Sequence, residues 1–236
     1  PNIFGGYLAI CLILLIYLSL KIHKINIMYW LKFTLLFSAL FFTFSRSAWI
    51  TFSVFLLMVF IYGIINKNKR MLFIPSYFLL IIIALSIIYL PIVQTRLFSS
   101  SNNEISSNTE RVAGVKESWQ IFKQHPYLGI GVGNYTVASY ELNPNLPSWE
   151  YQPVHNVFLL ILSELGIFGI IILFLTFVTY INSLRAQIMP RFYFLLGIFG
   201  ILMMFDHYLF SFYSGLMLSA VYLGIISRPK HSEPRI

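Results

Sequence analysis

Apolar residues gather into seven long runs, and most of the polar links between them are short. The runs are Phe4–Leu20, Ile25–Phe44, Ser47–Ile65, Met71–Leu90, Val157–Tyr180, Phe192–Phe210 and Ser211–Ile226. Each reaches or approaches the ~20 residues that a helix needs to cross the hydrocarbon of a bilayer. The last two are tight, with only ~17 residues per crossing, so one of them is expected to be short, tilted or re-entrant. KIHK, Ser45–Arg46 and NKNKR join the first four runs. One interval departs from the pattern. From Pro91 to His155 the chain is polar or mixed, and the interval ends abruptly in PVHNVFLLILSELGIFG. The pattern predicts an all-α fold: a polytopic transmembrane helix bundle of about seven spans, with one large extracytoplasmic loop containing an amphipathic helix. Its expected parts are four transmembrane helices in 1–90, an extracytoplasmic loop in 91–155, two to three transmembrane helices in 156–226 and a cytoplasmic tail in 227–236.

Composition agrees, since 58% of residues are hydrophobic and 10% charged, and the mean hydropathy is +0.78. A soluble domain does not carry such a balance. The net charge of +8 invites a nucleic-acid partner, but its distribution points elsewhere. Basic residues collect at Lys21/Lys24, Lys67/Lys69/Arg70, Arg185/Arg191 and Arg228/Lys230/Arg235. Seven alternating spans put these clusters on one side, which the positive-inside rule makes cytoplasmic. The long interval then faces outward, and its charges nearly balance: Arg96, Arg111, Lys116 and Lys123 against Glu104, Glu110, Glu117, Glu141 and Glu150. The positive excess is a topology signal, and no nucleic-acid partner is expected. Cys11 is the only cysteine, so no internal disulfide or cysteine metal site can form. The chain starts at Pro1, and its first run lacks the basic flank and cleavage site of a signal peptide. A longer protein with further N-terminal sequence is expected.

The long interval has three parts. Ser99–Asn108 (SSSNNEISSN) has the composition of a flexible segment. Ser107-x-x-Glu110 is a capping-box pattern that can open a helix. Val112, Val115, Trp119 and Phe122 follow at helical spacing, and the helix should end before Pro126. At ~100° per residue Arg111 falls at the edge of the Val115/Trp119/Phe122 face. This predicts a helix lying along the outer membrane surface or against the bundle, with Arg111 aimed at the surface that the apolar face meets. GIGVGNY through Pro153 reads as an ordered loop with little regular structure.

Several polar residues could carry chemistry. The Ser45–Arg46 link makes a tight hairpin on the outer side, where positive charge is disfavoured. Arg46 is either an interfacial arginine that snorkels to the headgroups or a fixed guanidinium for a phosphate or diphosphate. Arg111 is either part of a surface ion pair or a second cation converging with Arg46 on an anionic lipid-linked substrate. His155 sits at the mouth of an apolar run. It either bonds backbone groups at a helix end or, as a neutral imidazole, takes a proton from a sugar hydroxyl. No second His, Cys or carboxylate stands at ligand spacing along the chain, which argues against zinc. Glu164, Asp206 and His207 are ionisable groups in or near spans and are therefore functional candidates. Asp206 and His207 are expected on the same side as His155. Glu164, about two turns below it, reads as structural. Gly129-x-Gly131-x-Gly133 follows no strand and opens no βαβ unit, so it is not a nucleotide loop.

Four pieces in order carry a resemblance: Ser45–Arg46, ERVAGVKESWQIFKQHPYLGIGVGNY, HNVFLLILSELGIFG and FDHYLFSFYSGLML. From about residue 40 onward the chain resembles the O-antigen ligase/polymerase family of bacterial envelope glycan enzymes. The resemblance implies a polytopic glycosyltransferase on the outer face of the inner membrane. Its donor would be a glycan on undecaprenyl diphosphate, and its acceptor a glycan, lipid A core or another hydroxyl, all among membrane lipids. By position, Arg46 and Arg111 would bind the diphosphate and His155 would be the catalytic base. Asp206, His207, Glu164 and Asn156 would be supporting residues. The attack would invert the anomeric centre, with no metal and no cofactor. Members have about ten or more spans, so the chain would correspond to the C-terminal half to two-thirds. Ligases, polymerases and protein-glycosylating enzymes are all within the resemblance.

A transporter or flippase of lipid-linked glycans is the alternative. Transporters favour repeated halves and broken or charged helices at the midplane. No internal repeat is evident in this chain, and only Glu164 is a candidate for midplane charge. A structural scaffold is a third reading, but it leaves the outer Arg and His positions unexplained.

Overall fold

The computed structural model describes residues 2–20, 22, 25–98, 102–184 and 190–227. The expected clusters Lys21/Lys24 and Arg228/Lys230/Arg235, Arg185, the tail beyond Ser227 and Ser99–Ser101 lie outside the described residues. All regular structure among the described residues is helical: α1 (Asn2–Ser19), α2 (Ile27–Phe42), α3 (Arg46–Ile65), α4 (Lys69–Ile88), α5 (Leu90–Phe98), α6 (Asn102–Gln124), α7 (Tyr135–Leu142), α8 (Val157–Leu184), α9 (Pro190–Phe205), α10 (Tyr208–Ser211) and α11 (Tyr213–Ile226). Each of the seven apolar runs forms a helix. Four helices, α1, α3, α4 and α8, are long and apolar enough to cross a membrane. α2, α9 and α11 are apolar but shorter.

The chain divides into two compact units, residues 1–104 and 105–235. In the first, α1 packs on α2 and α3, and α3 packs on α4. Its centre is a cluster of rings: Phe78 lies 5.8, 5.1 and 5.3 Å from Phe33, Phe37 and Phe52. Aromatic side chains carry the largest apolar area per residue, so four of them can anchor a small bundle. The α2–α3 link is Thr43–Ser45, slightly longer than the sequence suggests, with Phe44 left-handed at φ 51°. Ser45 is the N-cap of α3, accepting from the Ala48 N–H at 3.4 Å. Gly5 of α1 approaches this tip so closely that a Cβ there would stand 2.7 Å from the Ser45 Cβ. At the opposite end, Arg70 donates through Nη2 to the Ser19 carbonyl at 2.6 Å and through Nη1 to the Ile22 carbonyl. A cation there satisfies carbonyls left over at the end of α1 and complements its dipole.

The second unit is organised around α8, which is two helices meeting at a kink. Gly166, at φ 63° and ψ −169°, interrupts it. The half after Gly166 is apolar and largely exposed, as a helix facing lipid would be. The half before it packs against α6, and the two run side by side in one direction. Ser118 Oγ and Ser163 Oγ are 2.8 Å apart, and Ser163 also donates to the Ser118 carbonyl at 3.1 Å. Ile121, Tyr135, Val154 and Leu160 close a small core between α6, α7 and α8.

Three expectations about the interval are corrected. α6 begins at Asn102, so the Ser/Asn segment is helical from there and Ser107 lies inside the helix rather than opening it. Once a packed turn exists, each further residue adds a hydrogen bond, and the helix extends into poor formers. The face of α6 that packs is Arg111, Gly114, Ser118 and Ile121, while Val112, Val115 and Trp119 are exposed. Close approach to α8 needs small side chains, and Gly114 and Ser118 provide them. The presumed irregular stretch after Gly133 contains the two-turn helix α7 and a single 3-10 turn at Ser148–Glu150.

Candidate functional site

The site forms where α9 ends and α8 begins. The helix stops at Phe205, and Asp206 and His207 follow in the break before α10. The last carbonyls of α9 need partners that the helix cannot provide. Asn156 donates to the Met204 carbonyl at 3.1 Å and Arg111 Nη1 to the Phe205 carbonyl at 2.9 Å. Asn156 works at two helix ends, because its Oδ1 also caps α8 by accepting from the Leu159 N–H at 3.0 Å. A positive guanidinium at the C-terminus of α9 complements its dipole as well.

His155, immediately before this cap, has its Nδ1 3.3 Å from Asp206 Oδ1. The same carboxylate oxygen accepts the His207 backbone N–H at 2.8 Å. Asp206's side chain is only 6% exposed and that of His155 is 27% exposed, so the imidazole is the member that solutes can reach. Burial alone would raise the Asp206 carboxyl. The hydrogen bond from His155, the charges of the two histidines and the His207 N–H outweigh it and hold the group below the usual carboxylate range. For His207, burial and the nearby His155 hold the imidazole below its ordinary value, against the opposing pull of Asp206. Its Nδ1 lies 2.5 Å from Ser211 Oγ, and its ring centroid is 5.4 Å from that of His155.

Glu164 belongs to a second arrangement nearby. It is buried, and its carboxylate accepts from the backbone at Gly133 and Tyr135, the start of α7. Asn134, the nominal N-cap, makes no capping bond there and turns instead to the Ile130 carbonyl at 2.9 Å. Glu164 therefore caps α7 from outside, a favourable place for a carboxylate. The glycines dismissed as a nucleotide loop have a different use. Ile130 and Gly131 donate to the Ser163 and Glu164 carbonyls at 3.1 and 2.9 Å, and Ile167 and Phe168 donate to the Pro126 and Tyr127 carbonyls at 2.9 and 3.1 Å. The loop thus supplies hydrogen bonds that α8 loses at Gly166, as a broken membrane helix requires.

The structure brings Arg111, His155, Asn156, Asp206 and His207 to one end of α9. Glu164 lies apart from them at α7. Arg46 belongs to the first unit, where it is the first residue of α3 and half-buried. The α9 carbonyls and the α8 break have no signal in single residues. The paired glycine patterns HPYLGIGVGN and SELGIFG are the trace that they leave.

The family model described as O-antigen ligase matches residues 31–174, well over half of the chain. The chain belongs to the O-antigen ligase family. The matched region includes Arg46, Arg111 and His155, and ends inside α8. No curated protein and no solved structure matches the chain. Together with its long apolar helices, membership makes this a multi-pass membrane protein of the O-antigen ligase or polymerase type, working in surface polysaccharide assembly on lipid-linked glycans. The fold also brings together three possible ligands that spacing along the chain does not mark. One ligand atom each from His155, Asp206 and His207 lies within 4.8 Å of the other two, although His155 is 51 residues from Asp206 in the sequence.

Proposed function

We propose that the protein is a glycosyltransferase that moves a glycan from a polyprenyl-diphosphate carrier to a hydroxyl acceptor on the extracytoplasmic face, with His155 as general base. The observation that carries this reading is the contact between Asp206 and His155 Nδ1. A neutral imidazole has one N–H and one lone pair. The carboxylate takes the Nδ1–H, so the lone pair is on Nε2 of a ring that is 27% exposed. In the reaction the acceptor oxygen bonds to the anomeric carbon as its proton passes to Nε2. The bond from that carbon to the diphosphate oxygen breaks with inversion, and the carrier leaves as its diphosphate. Asp206 stabilises the imidazolium that forms.

Arg111 is the cation for the departing diphosphate. A guanidinium has five N–H donors in a fork, enough to hold the Phe205 carbonyl and an anion together. Arg46 is assigned the same diphosphate role. Removing the base should lower turnover by about 10²–10⁴-fold. The full-length protein is supplied with a polyprenyl-diphosphate glycan, and transfer by wild type is compared with His155→Ala, Arg111→Ala and Arg46→Ala. Wild-type turnover in all three variants would sink the assignment.

The interruption of α8 favours a second reading, a transporter, because broken helices build transport sites. The four backbone groups flanking Gly166 are bonded to the 126–131 loop, which leaves the glycosyltransferase reading ahead. Carrier translocation with no change in glycan linkage would reverse that order.

A further inference from the structure

We propose that His155, Asp206 and His207 form a binding site for a divalent cation of the zinc class, and that its occupation switches the enzyme off. Two imidazoles and one carboxylate are a ligand set that zinc accepts, with water completing a tetrahedron. Bonds of about 2.1 Å in such a tetrahedron put neighbouring ligand atoms roughly 3.4 Å apart. His155 Nδ1 and Asp206 Oδ1 already stand at 3.3 Å, and all three ligand atoms fall within 4.8 Å. The remaining closure is small, and His155 can make it because its ring is the exposed member.

The other two ligands are held in advance. Asn156 and Arg111 fix the end of α9 directly before Asp206. The His207 N–H holds the carboxylate, and Ser211 Oγ orients the His207 ring. Such outer contacts orient metal ligands and raise affinity. Arg111 is the opposing influence, a fixed positive charge one residue away, and it favours a reversible site over a permanent one.

The inhibition follows from the tautomer. A metal on His155 Nδ1 displaces the proton to Nε2, so the ring has no lone pair for the acceptor hydroxyl. A metal on Nε2 occupies that lone pair directly. Either way the base is lost. Inhibition rests on the proposed function, but binding does not, so the two can fail separately.

The test uses the full-length protein in detergent without any glycan. Zinc is titrated against a chromophoric chelator, magnesium serves as the hard-cation control, and cobalt is added as a spectroscopic substitute. The expected result is one zinc per chain, no competition by magnesium, and the strong visible absorption of tetrahedral cobalt. His207→Gln, Asp206→Asn and His155→Gln should each weaken binding at least about tenfold, provided that their metal-free melting points show a folded protein. The cobalt spectrum of wild type does not depend on any variant folding. Absence of saturable binding, a weak octahedral cobalt spectrum, or unchanged affinity in folded variants would overturn the site. With lipid-linked glycan added, zinc should abolish transfer and a chelator restore it. Full transfer by the zinc-loaded enzyme would overturn the switch.

Discussion

Gly129 and Gly166 meet backbone to backbone: a Cβ on Gly166 would stand 2.6 Å from the Gly129 nitrogen. Both have positive φ, 67° and 63°, a region that a side chain enters only at a cost. A Cβ on Gly129 would meet the Glu164 carbonyl at 2.4 Å. One close contact thus joins the loop after α6 to the break in α8. It sets the angle at which the first half of α8 rises to His155.

Alanine at either glycine should therefore be destabilising by at least about 2 kcal/mol, from strained backbone before any clash is counted. Hydrogen exchange at Ile130, Gly131, Ile167 and Phe168 should rise in both variants. A melting point equal to wild type for Gly166→Ala would show that the loop and the helix do not depend on each other.

Asp206→Asn keeps the shape of the pair but removes the charge that selects the Nδ1–H tautomer. Turnover should fall at least about tenfold, with little change in KM, because Asp206 acts through His155 and does not touch the glycan. A change in KM alone would place Asp206 in substrate binding.

Acid should weaken the fold through Asp206 and His207 together. Asp206 is depressed in the folded state, so its contribution is present above its unfolded value of about 3.9 and is lost as pH falls through the folded one. His207 is also depressed. Below about pH 6.5 the unfolded chain takes up a proton that the folded site resists, and stability falls from there down to the folded value. Melting points of the purified protein should drop as pH falls below about 6.5, and less so in His207→Gln. An equal drop in that variant would remove His207 from the account.

Much of the helical plan was legible in the chain. Runs of apolar residues near membrane length declare helices because lipid leaves the backbone no other partner. The end of α6 before Pro126 was equally readable, since proline disfavours helix at the preceding residue. The buried face of α6 was not. Val112, Val115 and Trp119 have the apolar period, yet Gly114 and Ser118 are what let α8 come close. Periodicity ranks residues by hydrophobicity, whereas packing also selects for size.

By itself, then, the sequence determined the seven apolar helices and the single long polar interval between them. Local patterns suffice for these because hydrophobicity and turn chemistry act over a few residues. Only the tertiary structure decided that Asp206 and His207 stand beside His155, that Arg111 holds the end of α9, and that the glycines mend a broken helix. Those are pairings of backbone and side-chain groups far apart in the chain. Buried polar atoms must find partners wherever the fold provides them, and sequence spacing holds no record of where that is.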